Sequence, residues 1–522
     1  MEKINIRDRI GLIVLSVVFI ALSIVVLSNK VNLHGDEVFT YGLSNHPYIH
    51  TFNIKAEEGI VYTPADTLWN EYMQVQEGHQ FDYRNVWKNQ EADVHPPLYY
   101  VLVHTISSFF PGQYSIWFTG SVNILFGVLL IVSVFFLALE ILEDKKFAFC
   151  TAAFFAFSAG ILSAVSYLRM YVMTMFWVCL ITYLIVRSFR TGQTRKFYQW
   201  SYMISLLGAL THYYFLIYLF LLCCVFLFFL LREKKYRDVF KFCLTMLASG
   251  VSAITVFPYM LQHIFDGQRG TEAVSNLTAG SLSEYIGQLM SFLGYINDQL
   301  FGRLLIVLLF MFAVAVIVRR KRGRKVSFSK KVILLLIPCV CYHILIARIA
   351  AYVSDRYIQP IYPIVAVIAG YMLCVCCRSI ISGKHAVAVM AGAEAAVIAA
   401  SLYFCQWPYL YRESVALLQR AEELSEYTCV YIYDGSWKGW KVQPSFYEVR
   451  NYQSVVFVSQ EHIGLLDTMN LNSEEGVVTC MFNTCNQDII FDKMESIYGK
   501  GTEMEKIGNY SYTTSYVIEK KE

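Results

Sequence analysis

Two adjacent carboxylates, Asp36 and Glu37, follow the first long apolar stretch of the chain, which covers residues 10–28. A carboxylate can take a proton from a reacting group, and two adjacent carboxylates repel, so the pKa of one is expected to rise while the other stays low. Ionisable groups at a membrane surface are costly to desolvate and tend to be retained for function or pairing. The pair is therefore a candidate for acid–base chemistry. Its structural alternative is the polar end of an apolar segment.

Further polar and aromatic residues stand at the ends of later apolar stretches. They are His95-Pro96-Pro97-Leu98-Tyr99-Tyr100, Arg169-Met170-Tyr171, Thr211-His212-Tyr213-Tyr214, Arg269 and Asp355-Arg356-Tyr357. Arginine offers a planar fork of donors that can bind phosphate oxygens in bidentate fashion, and Tyr and His can stack on a sugar or hydrogen-bond to it. The structural alternatives are arginines that extend to the lipid headgroups and prolines that start a helix.

The composition indicates that these residues belong to a polytopic membrane protein. Of the 522 residues, 56% are hydrophobic and 16% are charged, and the mean hydropathy is +0.45. An ordinary soluble domain has about 25% charged residues. Apolar runs long enough to cross ~30 Å of hydrocarbon recur over most of the chain. The formal charge of +3 does not indicate nucleic-acid binding, because the basic residues form short clusters between the apolar runs.

These basic clusters predict the topology, because cytoplasmic loops are enriched in Lys and Arg. Placing them in the cytoplasm gives about eleven spans and an outer C-terminal region. The predicted spans are 10–28, 115–140, 147–166, 170–188, 198–212, 213–231, 239–262, 300–318, 331–350, 357–377 and 385–404. The first is expected to be a retained anchor, since no clean small-residue cleavage site follows it. Residues 97–110 are apolar but short, and a span there would invert every later loop, so they are predicted to lie in the outer interface.

A change of composition near residue 405 predicts a second domain. Residues 412–522 hold many charged and polar residues, with strand-like runs at 429–433 and 454–458. We therefore expect a membrane domain over 1–408, whose first outer loop is 29–114, and a small extracytoplasmic α/β domain over 409–522.

The chain resembles the GT-C membrane glycosyltransferases. It is most similar to the protein O-mannosyltransferase and lipid A aminoarabinose transferase group, glycosyltransferase family 39. The residues that carry the resemblance are Asp36-Glu37, His95-Pro96-Pro97-Leu98-Tyr99-Tyr100, Arg169-Met170-Tyr171, Thr211-His212-Tyr213-Tyr214 and Asp355-Arg356-Tyr357 ahead of Pro360 and Pro363. The acidic pair alone is a weak motif, but its combination with His-Pro-Pro-Leu-Tyr-Tyr in a chain of this topology is fairly specific.

This resemblance implies a multi-span helical bundle with interface-parallel helices in the first outer loop. It also implies a polyprenyl-phosphate sugar donor and an inverting transfer to a hydroxyl of a glycan, lipid or protein acceptor. Asp36 would be the general base, and Glu37 would shape its pKa or position ligands. The remaining residues would bind the donor phosphate (Arg169, Arg356 and Arg269) or line the sugar or acceptor cavity (His95, Tyr99, Tyr171, His212 and Tyr213).

No cofactor is expected, because a lipid-linked donor needs no nucleotide and no phosphate-cradling Gly-rich loop is seen. Nothing demands a metal, although a divalent ion at Asp36 and Glu37 is an alternative. Three other functions stay open: a transporter or lipid flippase, a polysaccharide polymerase or ligase that uses polyprenyl-linked glycans, and a non-catalytic receptor. The short cytoplasmic loops and the lack of an organelle signal predict a bacterial plasma membrane, with the active site outside the cytoplasm.

Overall fold

A computed structural model of the protein describes residues 5–47, 56–323, 328–381, 384–469, 471, 476–499 and 501–519. The chain forms two compact units that interleave along the sequence. The helical unit consists of Met1–Ser28, Asp93–Tyr99 and Thr119–Trp407, and the sheet unit consists of Asn29–Ala92, Tyr100–Phe118 and Pro408–Glu522. The predicted boundary between residues 408 and 409 cuts the chain once, whereas each of the two units is built from three segments. The predicted domains 1–408 and 409–522 stay a prediction.

The described residues are mostly helical. In chain order, the helices are α1 (Ile6–Ser28), α2 (Gly35–Asn45), α3 (Thr67–Met73), α4 (Tyr83–Ala92), α5 (Leu98–Ser107), α6 (Ile116–Leu142), α7 (Lys145–Phe157), α8 (Ala159–Ser166), α9 (Tyr171–Thr191), α10 (Arg195–Ala209), α11 (Tyr213–Arg232), α12 (Tyr236–Val256), α13 (Met260–Phe265), α14 (Gln268–Thr278), α15 (Leu282–Phe301), α16 (Leu305–Lys321), α17 (Lys330–Ile349), α18 (Tyr362–Ile380), α19 (Lys384–Phe404), α20 (Val415–Glu423), α21 (Gly439–Val442), α22 (Phe446–Val449) and α23 (Gln487–Tyr498).

Eight of the described helices are long and apolar enough to cross a membrane, namely α1, α6, α9, α11, α12, α17, α18 and α19. Two bent pairs raise the number to ten if each is one span: α7 with α8, bent by 44°, and α15 with α16, bent by 81°. The expected polytopic helical fold is confirmed, but the count is lower than about eleven. The predicted span 198–212 forms α10, whose 15 residues fall short of the roughly 20 that a bilayer requires.

Helix α5 corresponds to the predicted interfacial segment 97–110. Its 10 residues extend over only about 15 Å, at 1.5 Å per residue, which is half of the hydrocarbon thickness. The prediction that this segment does not cross the membrane therefore agrees with its length in the structure.

The sheet unit contains one six-stranded sheet. Its strands are β1 (Val61–Tyr62), β2 (Thr428–Tyr433), β3 (Ser454–Ser459), β4 (Val477–Phe482), β5 (Glu503–Tyr510) and β6 (Thr513–Glu519), in the spatial order β1-β3-β2-β4-β6-β5. The central strands β3, β2 and β4 are parallel and fully buried, as expected for apolar strands covered on both faces. The predicted α/β domain is thus confirmed, with β2 and β3 at the predicted runs 429–433 and 454–458. Strand β1 joins the sheet from residues far outside the predicted range 409–522.

Candidate functional site

Asp36 and Glu37 lie in the first turn of α2, and His34 is the residue that caps this helix. His34 Nδ1 accepts a hydrogen bond from the backbone N–H of Asp36 at 3.1 Å. In return, Glu37 Oε2 accepts the backbone N–H of His34 at 2.6 Å, which completes a capping box. The pair satisfies backbone donors that the start of a helix leaves without intrahelical partners. The short sequence His34-Gly35-Asp36-Glu37 therefore specifies its own turn, called here the acidic turn.

Glu37 is fully buried and faces a buried lysine. Lys30 Nζ lies 2.9 Å from Glu37 Oε1, and the two side chains are 1% and 0% exposed. Lys30 Nζ also donates to the backbone oxygen of Tyr409 at 2.6 Å and lies 5.1 Å from the ring centroid of Tyr411. Burial lowers the pKa of Lys30, and the charge of Glu37 opposes that shift. Both carboxylate oxygens of Glu37 thus have partners, and this side chain supports the turn.

Asp36 occupies a different environment from its neighbour. Its side chain is 31% exposed, and Oδ2 lies 3.6 Å from His34 Nδ1. Because this Nδ1 accepts the N–H of Asp36, it carries no proton, so the contact is not an ion pair. Of the two adjacent carboxylates, Asp36 is the one whose side chain is exposed to solvent.

The segment before the acidic turn, residues 29–33, forms hydrogen bonds with the C-terminal part of the sheet unit. The N–H of Val31 donates to the carbonyl of Leu410 at 2.8 Å, and the hydroxyl of Tyr510 donates to the carbonyl of Leu33 at 2.7 Å. These partners stand as far as 477 positions away in the sequence. The position of Asp36 therefore depends on a tertiary contact as well as on its own capping box.

A second group of titratable side chains lies in the helical unit. It consists of Asp93, His95, Arg169, His212 and Arg356 and is called here the arginine–histidine cluster. Every member stands where helices are interrupted: between α4 and α5, between α8 and α9, at the N-cap of α11, and in a short 3-10 turn before α18. Such breaks bring polar side chains and backbone groups together in an otherwise apolar bundle.

Asp93, His95 and Arg169 form a chain of hydrogen bonds. His95 Nδ1 lies 2.8 Å from Asp93 Oδ2, and Arg169 Nη2 lies 3.3 Å from His95 Nε2. A guanidinium only donates, so Nε2 is the acceptor and Nδ1–H donates to the carboxylate. Burial alone would raise the pKa of Asp93, but His95 and Arg169 together hold it below its ordinary range. An ionised carboxylate thus fixes the orientation of His95.

His212 is a neutral member of the cluster. Its ring centroid lies 5.7 Å from that of His95, and its Nδ1 accepts the backbone N–H of Tyr214 at 3.0 Å. Burial lowers the pKa of His212 far below 6.5, and the neighbouring His95, Arg169 and Arg356 lower it further. A neutral imidazole offers a hydrogen-bonding group without adding positive charge.

Arg356 is held among aromatic rings. The side chain is buried, its Nη1 donates to the hydroxyl of Tyr167, and its Cζ lies 5.8, 5.2 and 5.3 Å from the ring centroids of Tyr167, Tyr352 and Tyr357. Arg269 is half-exposed instead, and its Cζ lies 5.9 Å from the same Tyr352 ring. Two of the three arginines predicted to bind phosphate, Arg169 and Arg356, are therefore buried in the cluster. The third, Arg269, lies near the Tyr352 ring that Arg356 also contacts.

The structure separates the residues predicted to line a sugar or acceptor cavity. Tyr171 joins the cluster, because its ring stacks on Tyr167 at 5.7 Å and lies 5.3 Å from that of His212. Tyr213 has a hydrogen-bond partner outside the cluster, because its hydroxyl shares a 2.8 Å hydrogen bond with Nδ1 of His263.

Tyr99 has a packing role. It is fully buried, and its hydroxyl donates to Asn123 Oδ1 at 2.7 Å. Asn123 in turn donates to the carbonyls of Val165 and Tyr167 at 3.2 and 2.8 Å. Tyr99 therefore supports the chain break that carries Arg169 and has no exposed surface of its own.

Several site residues were not predicted from the sequence. Lys30 and Asp93 are charged residues close in sequence to Glu37 and His95, and this proximity is the signal that could have identified them. Tyr167 and Tyr352 stand among many aromatic residues of an apolar chain, and only their contacts with Arg356 distinguish them.

The acidic turn offers a divalent metal one accessible carboxylate, that of Asp36. Among the residues that the structure describes, no group of three or more His, Cys, Asp or Glu side chains could hold an ion. Both oxygens of Glu37 have partners in Lys30 and His34, so Asp36 would be a lone carboxylate ligand. Hard cations take about six or more oxygen ligands, with at least one or two carboxylates beside water or phosphate oxygens.

Comparison with solved structures identifies the fold. The crystal structure of ArnT, the lipid A aminoarabinose transferase, from Cupriavidus metallidurans bound to undecaprenyl phosphate aligns over 97% of this chain and 97% of that chain, with a TM-score of 0.54 and 11% identity. The chain has a GT-C fold. Apo ArnT aligns over 96% and 97%, with a TM-score of 0.53 and 12% identity. AglB, the archaeal oligosaccharyltransferase from Archaeoglobus fulgidus, in complex with an inhibitory peptide and a dolichol-phosphate, aligns over 94% of this chain and 71% of that chain, with a TM-score of 0.48 and 11% identity.

No protein-family model and no curated protein sequence matches the chain. At 11% identity the likeness to ArnT establishes the architecture of a multi-pass membrane protein, and the predicted GT-C fold is confirmed.

Proposed function

We propose that this protein is an inverting glycosyltransferase that moves a sugar from a polyprenyl-phosphate donor to an acceptor hydroxyl on the outer face of a bacterial plasma membrane. The observation that carries the proposal is the difference between the two carboxylates of the acidic turn. Glu37 is buried and paired with Lys30, whereas Asp36 is 31% exposed at a fixed helix start. The fold shared with ArnT, whose crystal structure contains undecaprenyl phosphate, supports a lipid-linked donor.

Asp36 is the proposed general base. In the transfer, the acceptor hydroxyl attacks the anomeric carbon on the face opposite the phosphate, and Asp36 takes the hydroxyl proton. A bond forms between the acceptor oxygen and the anomeric carbon, and the bond from that carbon to the phosphate oxygen breaks. A single displacement of this kind inverts the configuration of the sugar. A base in hydrogen-bonding reach of the attacking hydroxyl contributes about 10²–10⁴-fold to the rate.

The arginine–histidine cluster is the proposed binding place of the donor phosphate. Arg169 and Arg356 are buried and lie close enough to His212 to lower its pKa. Their guanidinium groups can hold phosphate oxygens and stabilise the charge that the polyprenyl phosphate gains as it leaves. Arg269 lies near the Tyr352 ring and its side chain is half-exposed. It is proposed to contact the phosphate while the donor enters the site. His95 and Tyr171 are proposed to contact the sugar.

The proposed transfer uses neither a nucleotide nor a metal. The outer location of the active site is part of the proposal and follows from the basic clusters, because positive charges favour the cytoplasmic side. The sugar and the acceptor are left to experiment.

Turnover of defined donors tests the proposal. Purified protein in nanodiscs is given a panel of synthetic polyprenyl-phosphate monosaccharides, with and without EDTA, and sugar release is measured. We expect the wild type to turn over at least one donor, EDTA to have no effect, and Asp36→Asn to lower turnover by about two to four orders of magnitude.

Asp66→Asn is the matched control, because Asp66 stands at the N-cap of α3 and makes no side-chain cap hydrogen bond. It should retain wild-type turnover. Full activity of Asp36→Asn would exclude Asp36 as the base, and sensitivity to EDTA would contradict the metal-free mechanism. A well-folded wild type that bound none of the donors would contradict the transferase and favour the transporter alternative.

A further inference from the structure

The central strands of the sheet unit end at a place where α/β proteins commonly bind ligands. Strands β3, β2 and β4 are parallel and adjacent in that order. The chain leaves β2 toward β3 on one side, whereas β4, on the other side of β2, is followed by α23 and the outer strand β5. The carboxyl ends of β2 and β4 therefore flank a topological switch point, where a crevice opens between connections that run in opposite directions.

Polar side chains converge on this crevice. Asp434 follows the last residue of β2, and its Oδ2 accepts the hydroxyl of Thr484, just beyond β4, at 2.7 Å. The ammonium groups of Lys438 and Lys441 each lie 3.7 Å from an oxygen of Asp434. Burial opposes ionisation of Asp434, but Thr484 and the two lysines together hold its pKa below the ordinary range. The crevice thus contains a fixed carboxylate acceptor with a hydroxyl and two ammonium donors around it.

Two exposed aromatic rings border these polar groups. Trp440 and Tyr512 are 46% and 41% exposed, and their ring centroids lie 5.1 Å apart in an edge-to-face arrangement. Lys441 connects them to the polar group, because its Nζ lies 5.8 Å from the Trp440 ring centroid and 3.7 Å from Asp434 Oδ2. The backbone also ties the rings to the crevice: the N–H of Asn483, next to Thr484, donates to the carbonyl of Tyr512 at 2.9 Å.

This combination indicates the chemistry of the ligand. A flat aromatic surface packs against the C–H face of a sugar ring, and a carboxylate beside ammonium and hydroxyl groups can exchange hydrogen bonds with sugar hydroxyls. A phosphate or other anion is disfavoured, because Asp434 presents its own negative charge beside the two lysines. A purely apolar ligand would leave these polar groups desolvated without partners.

We propose that the carboxyl edge of β2 and β4 is a saccharide-binding site, in which Trp440 stacks on a neutral sugar and Asp434 and Lys438 hydrogen-bond to its hydroxyls. The site goes beyond the transferase proposed above and does not depend on it. In a transferase it would hold an acceptor glycan, and in a receptor it would hold the recognised glycan.

Binding of defined oligosaccharides tests the proposal. The full chain in nanodiscs is titrated with cellotetraose, maltotetraose, mannotetraose and chitotetraose, and binding is followed by saturation-transfer difference NMR and calorimetry. We expect at least one tetrasaccharide to bind and Trp440→Ala to weaken it by about tenfold or more, since stacking on one aromatic ring contributes on the order of a tenfold affinity. Asp434→Asn keeps an oxygen acceptor for Thr484 and should weaken the same ligand.

Trp200→Ala is the matched control, because Trp200 is 59% exposed on α10 and lies outside the sheet unit. It should bind as the wild type does. If none of the four saccharides bound, or if Trp440→Ala and Trp200→Ala bound equally well, the proposal would be overturned. Donor turnover is measured separately, so that a failure of saccharide binding and a failure of the transferase are distinguishable.

Discussion

The acidic turn and the arginine–histidine cluster both gather charges in a small volume, but they are built differently. In the turn, His34, Asp36 and Glu37 lie within four consecutive positions, and the capping box arranges them. In the cluster, His95 and Arg169 are 74 positions apart, and Tyr167 and Arg356 are 189 positions apart. A local motif can place one reactive group accurately, whereas a shaped pocket for a ligand needs side chains from distant parts of the chain.

Exposure separates the two regions as well. Arg169 and Arg356 are 4% and 5% exposed, against 31% for the side chain of Asp36. Coulombic interactions strengthen as the effective dielectric falls, so buried guanidinium groups hold an anion more strongly than exposed ones. A base that has to meet an acceptor needs access instead. The two regions thus have the properties expected of a proton acceptor and of an anion-binding site.

The largest effect is expected within the acidic turn itself, where Glu37→Gln should act on stability and Asp36→Asn on turnover. Glu37→Gln leaves the buried ammonium of Lys30 without its counter-charge, which costs about 3–5 kcal/mol of unfolding free energy. Denaturation in detergent micelles measures this cost. The double variant Lys30→Met with Glu37→Gln removes both charges and should recover part of the loss.

A Glu37→Gln variant with wild-type stability and abolished turnover would contradict this division of roles. It would assign chemistry to both carboxylates and remove the contrast between them.

The next effect concerns the cluster, where Arg356→Lys tests whether the fork of the guanidinium matters. Lysine cannot reproduce a planar donor that bonds to Tyr167 and packs against three tyrosine rings. We expect donor affinity to fall by about tenfold and stability by about 1.5–3 kcal/mol, the contribution of a hydrogen bond made by a charged group. Donor binding and thermal unfolding are measured on the same samples.

Arg303→Lys is the control for that substitution, because Arg303 also packs against a ring, that of Phe404 at 4.7 Å, but is exposed and paired with Asp298. Equal losses of donor affinity in the two variants would show that Arg356 has no special role in binding.

The smallest effect is a change in pH dependence caused by His212→Asn. The pKa of His212 lies far below 6.5 in the folded protein, so the unfolded chain takes up this proton first as the pH falls. The resulting stability is fully present above about pH 6.5 and is lost progressively below it, by about 1.4 kcal/mol per pH unit until the folded pKa is reached. Asparagine is a good N-cap and does not titrate. Thermal unfolding between pH 7.5 and 5.5 should therefore decline less steeply in the variant, and an identical slope would contradict a neutral His212.

Particular elements explain which parts of the fold could be predicted. The apolar runs of α1, α6 and α11 are long and continuous, so the hydrophobic effect alone identifies them. The span predicted at 198–212 lies in α10, whose 15 residues are fewer than the roughly 20 of a full span, so this span stays a prediction. Strand β1 could not be predicted, because two residues are too few to show an alternating pattern and they form a strand by pairing with β3.

The sequence by itself determined the membrane-spanning character of the chain and the capping residues of the acidic turn, because these depend on hydropathy and on contacts within a few residues. The GT-C class was implied by the resemblance of its motifs. Tertiary structure decided which carboxylate is accessible, through Lys30 and its bond to the carbonyl of Tyr409. It also decided which arginines meet, since Arg169 and Arg356 reach His212 from separate helix breaks. Burial and counter-charge arise only when distant segments pack, and they distinguish two carboxylates that are equivalent in the sequence.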